Sequence, residues 1–143
     1  MSLLFTLHLA ATLFMTGVIW FVQIVHYPLF NGVGEANFAA YEGRHTWLTG
    51  LVVAPPMLLE LATGVALLWR RPEEVSSVEV TVGLALLGVI WLSTYLLQIP
   101  RHRVLGKGFD VTAHRELVLT NGLRTAAWSL RAGLVLWWVY RLI

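Results

Sequence analysis

The sequence contains no cysteine, which excludes a disulfide framework, thiolate metal sites and thiol catalysis. Charge is scarce as well: 13% of the residues are charged, against about 25% in soluble domains. The net charge of +2 is small and the basic residues are dispersed, so there is no electrostatic footprint for nucleic acid. No Ser-His-Asp order, phosphate loop or dinucleotide fingerprint is present. Gly-x-x-x-Gly spacing is missing too, which removes glycine-driven helix pairing.

What the chain has in abundance is apolar residues, 57% of its 143 positions, a length that suits one domain over residues 1–143. Four apolar segments stand out, at about 3–30, 45–69, 78–99 and 113–140. The start, MSLLFTLHLAATLF, lacks the basic leader of a secretory signal and reads as the first transmembrane helix. The second segment is the most informative. Between Trp47 and Trp69 lie 21 residues with one charge, Glu60; a helix of that length spans roughly 33 Å, a bilayer's hydrocarbon core, with a tryptophan at each interface. A carboxylate and a Pro55-Pro56 break inside such a span mark a polar interior rather than a lipid-facing wall. Pro28 and Pro100 are expected to end the first and third helices. The expectation is an all-α, multi-pass integral membrane protein: a four-helix bundle whose outside meets membrane lipids.

Several residues recur about 71 positions apart. Gly17 and Trp20 match Gly88 and Trp91, Phe38 matches Phe109, Thr49 matches Thr120, and Pro28 matches Pro100 at one residue more than the same offset. This predicts two tandem helix–loop–helix repeats related by an axis along the membrane normal. It would set Glu60 opposite Arg131 at one depth, and Trp20 with Trp91 at the pseudo-axis.

Each helix carries a polar stripe at helical spacing. The fourth presents His114, Asn121, Arg124, Trp128 and Arg131; the second presents Glu42, His45, Thr49, Pro56 and Glu60. The first offers His8, Gln23 and His26, and the third Gln98 and His102. In an up-down-up-down bundle, His26, Glu42, His45, His102 and His114 all reach one end. That predicts a mouth there, with Arg124, Glu60 and Arg131 lining deeper levels and His8 near the other side. Imidazole and carboxylate together suit a divalent transition metal, so His26, Glu42, His45, His102 and His114 are the candidate ligands. Glu42 and His45 form a single E-x-x-H pair without the second copy that di-metal bundles use. Haem is the alternative cofactor. His8 and His26, roughly 27 Å apart along one helix, cannot share it, so it would have to bridge His26 to His102 or His114.

The functional expectation is a membrane enzyme oxidising a lipophilic small molecule. His45, His114, Glu42 and Glu60 would be catalytic, and Arg124, Arg131, Asn121, Trp128 and Gln98 would hold an anionic or carbonyl group. Two other classes compete: a small ion or organic-anion transporter gated by Glu60 and Arg131, and a structural subunit of a membrane complex. Association into a homo-oligomer stays open. The distribution of Lys and Arg puts the mouth in the cytoplasm and both termini outside.

HYPLF at the end of the first helix, the F-x-x-Y of Phe38–Tyr41 and NGLRT at Asn121–Thr125 resemble the small four-helix membrane proteins grouped with anthrone oxygenases. The resemblance covers most of the chain in layout and these patches in detail. It implies oxidation of a hydrophobic aromatic substrate without an obvious cofactor.

Overall fold

Apolar runs this long with their polar residues on single stripes satisfy their backbone as helices, and the described chain is helical throughout. The computed structural model describes residues 2–143. Helix α1, Leu3–Phe21, continues through a π-helical turn at Val22–His26 and a 3-10 turn at Pro28–Gly32. Helix α2 runs from Glu35 to Arg70, α3 from Ser77 to Ser93, and a second π-helical turn at Thr94–Gln98 leads α3 into α4, Ile99–Leu105. Helix α5, Val111–Leu142, closes the bundle. The result is four helical rods. The first packs on α2 and α5, and α3 packs on α2 and α5, so neighbours around the square follow the order α1, α2, α3, α5.

The turns follow from local chemistry. Ser76 caps α3 in a reciprocal box with Glu79, and Asp110 caps α5 by accepting from the Ala113 amide at 2.7 Å. Gly34 precedes α2 at φ +79, a conformation that a residue with a Cβ rarely adopts.

Several helix boundaries differ from the sequence expectation. Helix α2 begins well before His45, carrying Glu42 inside the helix. Pro55 and Pro56 do not break α2, which is continuous through both; neighbouring helices in a bundle tolerate such prolines. Nor does Pro28 or Pro100 end its rod. Tyr27 is helical at φ −65 and ψ −43, and helix resumes directly at Ile99–Pro100. In each rod the preceding turn widens to π, with Tyr27 donating to Val22 and Ile99 to Thr94, five residues back. Widening moves aside the carbonyl that a proline ring would otherwise strike.

The interior is layered. Phe5, Leu67, Val80 and Trp138 fill one end, Met15, Ile19, Met57, Leu87, Ile90 and Trp128 the middle, and Val22, Phe30, Phe38, Leu105 and Leu117 the other end. Outside, Leu13, Phe14, Phe21, Leu51, Val52, Leu58, Leu92, Leu119 and Leu130 are exposed. Inside, Glu60, Arg131, Asn121 and Arg124 are buried. An apolar outside around a charged inside suits lipid, not water. Three rods, Leu3–Gly32, Glu35–Arg70 and Ser77–Leu105, are long and apolar enough to cross a membrane. Trp20 departs from its expected place: it is half-exposed, its indole donating to Ser129 at 3.0 Å, whereas Trp91 packs on the middle layer.

Of the glycines in α2, Gly64 is the one packed closely on its neighbours. A Cβ there would lie 3.2 Å from His8 Cε1 and 3.3 Å from Leu84 Cδ2, while one at Gly17 would meet nothing within 4 Å. Gly64→Val is expected to destabilise the bundle by about 1–3 kcal/mol through overpacking. Denaturant titration in detergent should show Gly17→Val to be much milder, and equal effects would contradict this packing.

Candidate metal centre

The π turn at the end of the first rod, the first third of α2 and helix α4 meet at one end of the bundle. Glu42 and His45 stand three residues apart, hence on one face of α2, and His102 reaches them from α4. One ligand atom from each of the three lies within 4.8 Å of the others, and Glu42 and His45 are buried. His102 Nδ1 donates to Glu42 Oε1 at 2.5 Å, and the Tyr27 hydroxyl sits 3.0 Å from His102 Nε2. With the carboxylate taking the Nδ1 proton, Nε2 is the acceptor for the tyrosine O–H. The other carboxylate oxygen, Glu42 Oε2, is buried without a partner among the described residues. A buried carboxylate oxygen without a partner calls for one, and a bound ion or an ordered water would serve.

Of the expected ligands, His26 stands behind His45, its Nε2 2.9 Å from His45 Nδ1. Thr49 Oγ1 lies 3.1 Å from the same nitrogen. These contacts engage Nδ1 and leave His45 Nε2 without a hydrogen bond among the described residues. His114 is outside the cluster. Its Nε2 donates to the Tyr27 carbonyl at 2.8 Å and its ring stacks on Phe30. There Nε2 is a second donor to a carbonyl that already accepts from the Phe30 amide at 3.1 Å. A haem bridging His26 to His102 or His114 also fits poorly, since the His45 ring contacts the rings of both His26 and His102, at 4.7 and 5.4 Å.

Beside the cluster lies a partly open cavity of about 510 Å³. Met15, Val18, Ile19, Val22, Val53 and Met57 give it apolar walls, and Tyr27, His45, Gln98, His102, Arg124 and Trp128 bring polar groups to it. Size and character are those of a small-molecule site. Gln98 is fixed by Ser93 and Thr120, each at 3.1 Å. Asn121 does not line the cavity; it holds Arg124, accepting from Nε at 3.0 Å and from Nη2 at 2.5 Å, and donates to Gln23 at 2.8 Å.

Glu60 and Arg131 do face each other, at 2.9 Å, but they do not line this cavity as deeper levels of it. Glu60 also accepts from Thr12 at 2.8 Å and from the Trp128 indole at 3.0 Å. Arg131 further donates to the Gly83 carbonyl and lies 3.4 Å from His8 Nε2. Trp128 thus touches the cavity with its ring and the buried pair with its N–H. His8 is enclosed in this same network, with Nδ1 2.9 Å from Thr63 Oγ1.

Comparison of the chain with family models, with curated proteins and with solved structures finds no match in any of the three. The geometry therefore carries the functional reading. Tyr27 and Thr94 are the site residues that sequence reasoning passed over, while Thr49 stood on the polar stripe of the second helix without a role. Tyr27 is part of the His26-Tyr27-Pro28 run, where the proline drew attention to chain direction instead of to the hydroxyl.

Proposed function

We propose that the chain is a multi-pass membrane enzyme that binds one divalent transition-metal ion through Glu42, His45 and His102 and oxidises a lipophilic molecule in the adjoining cavity. The observation that carries this is two histidines and one carboxylate converging on a cavity wall. That donor set, with positions left open, is the one non-haem iron oxygenases use. The metal would take the place of the His102 Nδ1 to Glu42 Oε1 hydrogen bond, with His102 then carrying its proton on Nε2 toward the Tyr27 oxygen, and Glu42 Oε2 would supply further coordination. When bound, it would supply the redox chemistry with dioxygen as electron acceptor. The protein's own groups would do the rest: Tyr27 orients His102, His26 orients His45, and Arg124 and Gln98 face the substrate.

Supporting a fourth crossing by α5, its exposed side carries Leu119, Leu123, Leu130 and Leu136 while Arg124 and Arg131 turn inward. Supporting tandem duplication, both π turns stand two residues before a proline, at Val22–His26 and Thr94–Gln98. The layout keeps the anthrone-oxygenase-like resemblance in play as a proposal for substrate type. The gated-transporter alternative rests on Glu60 and Arg131, whose enclosure and hydrogen bonding suit a fixed lock better than a moving gate.

Anaerobic titration of purified protein with ferrous ion is the test. We expect one equivalent to bind, and nitric oxide to produce the half-integer-spin resonance of iron with an open position. Absence of bound iron, zinc or manganese above a detergent blank would refute the reading.

A further inference from the structure

Arg124 sits midway along α5 with 8% of its surface exposed, on the wall of the cavity. Its guanidinium has five N–H donors. Three are used, by Nε and Nη2 toward Asn121 Oδ1 and by Nη1 toward Thr94 Oγ1 at 3.2 Å. These bonds leave one N–H on each of Nη1 and Nη2, and the neutral Tyr27 hydroxyl stands beside the guanidinium without supplying a counter-charge. Both partners are neutral, and among the described residues Arg124 makes no ion pair. The two buried carboxylates that might have served are committed elsewhere, Glu60 to Arg131 and Glu42 to His102. A buried cation without a counter-charge is costly. This one is also held rigidly, by an asparagine itself anchored to Gln23.

We infer that the cavity takes a lipophilic monoanion whose carboxylate pairs with Arg124 and whose apolar body lies against Met15, Met57 and Trp128. This deepens the proposed function and rests on the same cavity, naming the substrate class. The N–H donors of a planar guanidinium suit the oxygens of a carboxylate. Thr46 on α2 and Arg103 on α4 are exposed where they border the cavity. A ligand dissolved in the bilayer would enter between these two helices.

The test is equilibrium binding of 1-pyrenebutyrate and its neutral counterpart 1-pyrenebutanol to full-length protein in phosphatidylcholine nanodiscs, with empty discs subtracted. Chelator-treated protein is used, so that no metal can hold the acid. The acid should bind about 10- to 100-fold more tightly than the alcohol, the range for hydrogen bonds to a charged group. Arg124→Gln should abolish that preference. Asn121→Asp should do the same by giving Arg124 an internal counter-charge, while the alcohol's affinity in both variants stays within about twofold and so reports an intact cavity. Equal binding of acid and alcohol by the unaltered protein, or a preference surviving in both variants, overturns the inference. An acid preference lost with Arg124 in protein that never binds metal leaves this inference standing and removes only the metal reading. A preference lost in His45→Ala but kept in Arg124→Gln overturns the inference.

Discussion

Replacing Glu60 with alanine is expected to destabilise the protein by about 3–5 kcal/mol, the range for breaking a buried ion pair from one side. The physical reason is what remains behind. Arg131, 2% exposed, would keep its charge with only the Gly83 carbonyl and His8 nearby. Thr12 and the Trp128 indole would lose their acceptor in the same step. Removing both charges is a different experiment. Glu60→Met with Arg131→Met leaves no uncompensated ion and fills similar volume, so the double variant should be more stable than either single one. Unfolding in mild detergent would measure the cycle. Single variants within about 1 kcal/mol of the unaltered protein would mean that the pair is not what fixes α2 against α5.

The second large effect concerns the metal. His45→Ala and His102→Ala should each weaken binding by at least about 100-fold, since three ligands leave none to spare. Glu42→Gln should do likewise, because an amide oxygen brings no charge. His26→Ala should fall between, at about 10- to 100-fold, the effect of removing a group that orients a ligand. His114→Ala should leave affinity nearly unchanged, because its ring is committed to the Tyr27 carbonyl. Titration followed by metal analysis of each variant tests the ranking. If His114→Ala and His102→Ala lost metal equally, the assignment of ligands would be wrong.

These two predictions differ in how far the sequence alone reached them. The pairing of Glu60 with Arg131 was legible in advance, because the two charges stand 71 positions apart, the offset at which several other residues recur. The Glu42–His45 spacing was legible too, since three residues along a helix always share a face. His114 was not. Helical periodicity places a residue at an end of the bundle, yet whether its ring turns to a cluster or to a backbone carbonyl depends on which part of the neighbouring rod stands opposite it. Trp20 illustrates the same limit: Trp91, which the spacing matched with it, packs on the middle layer while the Trp20 indole lies half-exposed against Ser129.

The prolines mark a further boundary between what pattern reveals and what packing decides. Pro28 and Pro100 predict helix ends from local sterics, and the sterics are real. The chain answers them by widening one turn, a solution available only when neighbouring rods hold the flanking segments in line.

Composition by itself determined that this chain must hide its charges from an apolar surrounding, because long runs without charge leave the few ionisable groups only one another and the interior. Helical spacing determined which groups share a face. Only the tertiary structure decided which of those faces meet: that Arg124 finds neutral amide and hydroxyl partners, that Trp128 walls the cavity off from the Glu60–Arg131 pair, and that His102 crosses to Glu42. Such choices depend on axial offsets of a few ångströms between rods, which no periodicity along a single rod encodes.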